Sequence, residues 1–289
     1  MPELPEVETV CRGLNKVCLK QPIASIEVIL DRTIAHPLPE EFSEILVGCE
    51  LVEWRRRGKY MLGELSRGGK FAGYWGTHLR MTGQFRWLEA PEPVTKHTRV
   101  RCFMPGGKEL RYIDQRTFGQ MWWVPPEKEP PEIMTGLTRL GPEPFAAEFS
   151  EAYLREKLRH RVRPIKNMLL DQLLVAGVGN IYADESLFLS GIHPTTLCSD
   201  LKPKQIALLR QNVIQVLQDS IDAQGTTFSD FRTVEGINGN YGGQAWVYGQ
   251  DGDACKVCGT TIERLKMAGR SAHFCPKCQP KQRGKKPKR

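Results

Sequence analysis

Residues 49–76 read CELVEWRRRGKYMLGELSRGGKFAGYWG. Three short β-rich runs, 49–57, 60–65 and 71–76, are punctuated by glycine, with a turn signal at Gly68-Gly69. The texture continues on both sides. Further runs lie at 23–30, 84–88, 100–103, 109–113 and 120–124, with a second turn signal at Pro105-Gly106-Gly107. Strands this numerous and closely spaced predict an antiparallel sandwich or barrel.

The flanks are helical. Over 3–19, Val7, Val10, Cys11, Leu14, Val17 and Cys18 recur at three- and four-residue steps, so a helix leads the strands. The stretch 125–144 holds six prolines among charges and reads as a break between domains. Helices are predicted at 149–160, 166–174, 180–189 and 203–223. Asn180 serves as an N-cap, Pro203 sits in a first turn, and Gly225 closes the last helix. A polar, Gly-rich loop at 226–243 is long for a compact domain. The expected division is 1–130 as a β-sandwich, 131–148 as linker, 149–243 as a helical domain with its loop, 244–279 as a metal-binding finger, and 280–289 as a basic tail. The class is α+β.

Composition narrows the partners. The 289 residues carry 41 Lys or Arg and 33 Asp or Glu, net +8. Residues 255–289 hold 11 of those bases against one acid, Glu263, so the excess sits at one end. A polyanion suits that end, nucleic acid first; a solvated tail is the other reading of 281–289. No run approaches the ~18 apolar residues of a membrane helix, and the acidic, Pro-rich start resembles no secretory signal. A cytoplasmic monomer is expected.

Four of the nine cysteines form Cys255-x-x-Cys258 and Cys275-x-x-Cys278, sixteen residues apart. Each pair sits on a tight turn, and the spacer is long enough for a hairpin to bring them together. This predicts one structural Zn2+ with no open position. A redox pair is the alternative, but no βαβ unit is visible beside it. The knuckle would present Lys256, Arg264, Lys266 and Arg270 to phosphates.

Pro2 follows the initiator Met. Removing Met1 would expose a secondary amine, and an α-amino group with a pKa near ~8 is far less protonated at neutral pH than a lysine. Such an amine can condense with a sugar aldehyde, with Glu3 beside it to move protons. On these residues alone, Pro2 reads first as the start of a helix or turn, and only second as a nucleophile.

Six segments in order change that balance: 2–9 (PELPEVET), 58–60 (GKY), 78–83 (HLRMTG), 114–119 (DQRTFG), 177–185 (GVGNIYADE) and 269–278 (GRSAHFCPKC). Together they resemble the formamidopyrimidine-DNA glycosylase family, over essentially the whole chain to about Gln279. Leu4 is similar to this branch rather than to the endonuclease VIII branch. The resemblance implies a β-sandwich, a helix-two-turn-helix domain and a zinc-binding β-hairpin. It implies an enzyme that removes oxidised purines from duplex DNA and nicks the abasic site by β,δ-elimination.

By the same resemblance, Pro2 is the Schiff-base nucleophile and Glu3 the general acid/base. Lys59 is a phosphate contact and proton donor, and Arg270 a phosphate grip. Asn180, His97 and Arg116 contact DNA, and Glu6 lies near the everted base. Met81, Arg116 and Phe118 fill the hole left by a flipped nucleotide; core packing is the alternative for Met81 and Phe118. The Gly177–Asn180 turn lets backbone N–H groups approach a phosphate, or is an ordinary interhelical turn. His78 reads as a hydrogen-bonded structural residue. Lys166 reaches DNA or lies on a solvated helix face. The rivals are the same scaffold acting on oxidised pyrimidines, and a non-catalytic zinc-dependent DNA-binding protein. The composition of 239–243 departs from the Gln-rich loop common in the family, and the tail beyond Gln279 extends past its usual end.

Overall fold

The computed structural model describes residues 1–226 and 233–281. Two compact units are present, Met1–Arg139 with Ala223–Asn240, and Leu140–Asp222 with Tyr241–Arg289. The expected basic tail falls almost wholly outside the described residues.

The first unit opens with α1 (Leu4–Val17), followed by β1 (Ser25–Val28), β2 (Ile34–His36), α2 (Pro39–Leu46), β3 (Glu50–Arg57), β4 (Tyr60–Arg67), β5 (Lys70–His78), β6 (Gly83–Leu88), β7 (Thr98–Phe103), β8 (Glu109–Asp114) and β9 (Gln120–Val124). They form two sheets, ordered β1-β7-β8-β6 and β2-β9-β5-β4-β3. All pairings are antiparallel except β2 on β9. This is the expected sandwich, with strand ends moved by at most two residues; β2 and α2 are additions that the sequence reading did not include.

Its core is aromatic. Trp54 and Trp75 lie 5.7 Å apart, Trp75 meets Phe42 edge-on at 5.9 Å, and Phe85 bridges to Tyr112 at 5.2 Å. Each such ring buries ~150–250 Å², about 4–6 kcal/mol of gross hydrophobic stabilisation. Gly63 is required here: a Cβ would come within 3.0 Å of the Trp54 ring and 2.8 Å of Leu51.

Two parts of the first unit differ from expectation. Residues 125–139 hold α3 (Pro130–Ile133) and a further 3-10 turn rather than open linker. Glu129 and Glu132 close a capping box there, which prolines and charges alone do not announce. Of the stretch expected with the helical domain, the described residues 223–226 and 233–240 group with the first unit. Val234 is fully buried in the sandwich core, its carbonyl accepts from the Trp87 N–H at 3.0 Å, and Gly13 of α1 leaves room for its side chain.

The second unit holds α4 (Glu151–Leu158), α5 (Ile165–Leu169), α6 (Asn180–Leu189), α7 (Pro203–Asp222) and a hairpin of β10 (Glu263–Met267) and β11 (Arg270–Phe274). On α7, Ile206, Leu209, Val213, Val216, Leu217 and Ile221 form the buried stripe, and the Tyr182 hydroxyl of α6 meets Ser220 at 2.6 Å. Among the described residues, no helix is long and apolar enough to cross a membrane.

Candidate functional site

The chain start is built by helix capping. Glu3 is the N-cap of α1, and its side chain accepts from the Glu6 N–H while Glu6 Oε2 accepts from the Glu3 N–H at 2.8 Å. Pro2 and Glu3 are thereby buried at the head of a helix whose other face is anchored by Val7, Val10 and Leu14. Glu6 carries a second load: its Oε1 accepts from Thr226 N at 2.9 Å and Thr226 Oγ1 at 3.0 Å. In this arrangement Glu6 is buried and ties Thr226 to the chain start.

Lys59 lies in the two-residue turn between β3 and β4, where Arg57 pairs with Tyr60 and Gly58 supplies a φ of 57°. It is 7% exposed, so it is not the solvated lysine that a turn position suggests. Burial, with the cations of Arg80 and Lys59, pushes the His78 imidazole down to about 3.

Met81 and Phe118 are 36% and 47% exposed, against the core reading of both. They stand on neighbouring turns. The Arg116 guanidinium lies over the Phe118 ring, 5.1 Å from its centroid. Asp114, a residue given no role from sequence, organises the group. Its Oδ1 accepts from Arg116 N (3.2 Å) and from the Thr82 hydroxyl, its Oδ2 accepts from Gly119 N (2.7 Å), and its own N–H donates to His97 O (2.9 Å). Thr82 Oγ1 also accepts from Arg116 N at 2.9 Å. The Asp114 carboxylate thus ties together the stretches bearing Met81, Arg116 and Phe118, and its backbone N–H adds the stretch of His97. The signal available in sequence was weak, an Asp opening a turn.

In the second unit the four cysteine sulfurs lie within 4.8 Å of one another, with Cys258···Cys275 at 3.5 Å and Cys255···Cys278 at 3.9 Å. A tetrahedral ion with Zn–S bonds of about 2.3 Å separates its sulfurs by about 3.8 Å. The donor set fits a closed structural Zn2+. Gln279 braces it, accepting from Cys275 N at 3.0 Å and donating to Ile192 O at 2.8 Å. At the hairpin tip Ala268 and Gly269 both have positive φ, 47° and 77°, as a type I′ turn requires. Arg270 leaves that turn exposed. Lys256 is committed elsewhere, donating to Ala245 O at 2.7 Å.

Lys166 corrects the expectation that it reaches DNA. It is fully buried, with Nζ 2.6 Å from Asp184 Oδ1 and donating to Ser271 O at 2.5 Å. Asp184 Oδ2 accepts from His273 N at 3.0 Å and faces its Nδ1 at 3.1 Å. The next residue, Glu185, accepts three backbone N–H groups, from Trp246, Val247 and Tyr248. Burial pushes its carboxyl up, against those bonds. Asp184 joins α6 to the metal hairpin and Glu185 joins it to residues 246–248, roles the sequence did not disclose. The N-cap of α6 is Gly179, so Asn180 is its first residue. Asn180 Oδ1 is buried with no hydrogen bond among the described residues. Gln172 clamps the turn before it, accepting from Gly177 N at 2.9 Å and donating to Val178 O at 2.8 Å.

Three family models match the chain: the formamidopyrimidine-DNA glycosylase N-terminal domain over 1–121, the formamidopyrimidine-DNA glycosylase H2TH domain over 140–232, and a zinc finger found in FPG and IleRS over 252–281. A formamidopyrimidine-DNA glycosylase of Synechococcus is 61% identical over 97% of this chain and 99% of its own length. Among solved structures, the Lactococcus lactis Fpg in complex with abasic-site DNA superposes with a TM-score of 0.89 at 36% identity, covering 96% of this chain and all of that one. A MutM complex with DNA containing carbocyclic 8-oxo-G gives 0.88 at 37% identity, covering 97% of this chain and all of the other.

Proposed function

Since the chain belongs to the formamidopyrimidine-DNA glycosylase family, we propose that the Pro2 amine, released by removal of Met1, is the nucleophile of its reaction. The protein is a base-excision repair enzyme, a bifunctional DNA glycosylase and abasic-site lyase acting on oxidised purines. The observation that carries the assignment of the nucleophile is Glu3. It is 2% exposed and held as the α1 N-cap directly beside Pro2.

The amine lone pair attacks C1′ of the everted nucleotide, and the glycosidic bond breaks toward the base, which leaves with a proton. The C1′–O4′ bond then opens to the iminium, and Glu3 gives a proton to the ring oxygen. Loss of the C2′ proton expels the 3′-phosphate; a second elimination releases the 5′-phosphate, and water returns the free amine. Lys59, buried in its turn, supplies a cation for phosphate and a proton for elimination. Arg270 and Asn180 grip backbone; His97 and Arg116 contact DNA; Met81, Arg116 and Phe118 occupy the vacated stack. Glu6 acts by holding Thr226 against the chain start. The zinc is structural and enters no step. The enzyme works as a cytoplasmic monomer on damaged duplex DNA.

The test is reductive trapping. With borohydride and a duplex carrying one 8-oxoguanine opposite cytosine, a covalent adduct mapping to Pro2 is expected. An adduct on any lysine, or none from protein that lacks Met1 and binds the duplex, overturns the assignment. A parallel duplex with an oxidised pyrimidine measures the rival specificity.

A further inference from the structure

We propose that His78 is a positioning residue for Met81, fixing through Nδ1 the turn from which Met81 enters the duplex. The inference rests on the reading of Met81 as the apolar wedge. His78 ends β5, with register partners Tyr60 on β4 and Gln120 on β9. Its ring is buried and meets Tyr60 edge-on at 4.5 Å. Nδ1 accepts from the Arg80 N–H at 3.0 Å. A ring nitrogen that accepts from an amide carries no proton, so the proton lies on Nε2. Burial first, and then the cations of Arg80 and Lys59, keep the ring neutral and the acceptor available.

That acceptor matters because Arg80 is left-handed, with φ at 54°. A non-glycine residue there is strained and persists only where its surroundings hold it. Three bonds hold it. The ring fixes the Arg80 amide, the Arg80 guanidinium donates to Gln120 Oε1 at 2.7 Å, and Gly83 N donates to Leu79 O at 3.0 Å to close the turn. Met81 sits at the apex, and Thr82, bonded to Asp114, ties it to the turn carrying Arg116. The pattern, a side chain accepting from the amide two residues on, is one that Asn ordinarily makes. Histidine makes it here while also filling the space against Tyr60.

The chemistry gives a discriminating pair of variants. His78→Asn keeps an acceptor where Nδ1 stands; His78→Gln moves it one bond outward, toward the place of Nε2. Both lose the ring and its packing. Eversion is followed by stopped-flow fluorescence of 2-aminopurine beside the lesion, with affinity for undamaged duplex and thermal unfolding measured alongside, and with runs at a temperature where each variant is folded. His78→Gln is expected to slow eversion roughly tenfold, the factor that ~1.4 kcal/mol of turn strain gives. His78→Asn is expected to stay within about twofold of the unmutated protein. Equal slowing by Asn and Gln assigns the effect to lost packing and overturns the proposal, as does no slowing by Gln. Met81→Ala separates the two readings. If it everts as fast as the unmutated protein, the wedge reading fails and takes this one with it. If it is slow while Asn and Gln do not differ, only the role of His78 falls.

Discussion

Two turns of this enzyme each present an arginine, and they are stiffened by opposite means. The turn of Arg116 is held by one carboxylate, Asp114, which accepts from two backbone amides and a hydroxyl. The turn of Arg270 owes its shape to positive φ at Ala268 and Gly269. Its base is fastened by four thiolates and by the buried Lys166–Asp184–His273 group. The first device is compact and local, and fails by degrees as its bonds are removed one at a time. The second is cooperative, because an ion that binds four ligands gives most of its stabilisation only when all four are present.

That contrast can be broken most severely at the metal. Chelation of zinc, or Cys258→Ser, is expected to unfold the hairpin and abolish DNA binding, since structural zinc contributes on the order of 10 kcal/mol. The near-ultraviolet signal of the Trp54–Trp75 core should survive. Its loss with the metal would mean that the two units fold as one. Next in size, Asp184→Ala leaves the Lys166 ammonium buried without its carboxylate, at a cost of about 3–5 kcal/mol. Hydrogen exchange of the β10–β11 amides should quicken accordingly, with zinc still bound. Smaller again, Asp114→Ala removes the acceptor of three donors and should cost about 2–3 kcal/mol. Exchange should quicken at Arg116 and Gly119 while the hairpin is unaffected; protection there unchanged would make Asp114 incidental.

The smallest effect is a pH dependence. His78 is neutral when folded and gains a proton when unfolded below ~6.5, so stability falls as pH drops from that value toward about 3. Between pH 6.5 and 5 its share of the loss should be about 2 kcal/mol by urea titration, and His78→Asn should be less pH-dependent by that amount, keeping the part due to buried His193.

What could be read from sequence follows the same division. The cysteine spacing announces its ion because ligands three residues apart need only a tight turn. The strands of 49–76 announce themselves because alternation and glycine breaks are local. Asp114, Asp184 and Glu185 stayed silent, since a lone acid in a loop or on a helix looks solvated until the chain brings its donors from 2 to 89 residues away. Lys166 was misread for the same reason: its carboxylate is 18 positions on, around a turn, and no period links the two. Met81 and Phe118 came to light through the family resemblance, and their exposure removes the core-packing alternative.

Val234 sets a schedule for synthesis. The sandwich is nearly complete once residue 139 has emerged, but one fully buried side chain of its core comes from near residue 234, after the whole of α7. At ~5–20 residues per second, that plug arrives about 5–20 s late. Thr226, which bonds to Glu6, arrives in the same interval. A nascent chain therefore spends seconds with Glu6, and the amino end it caps, lacking this partner.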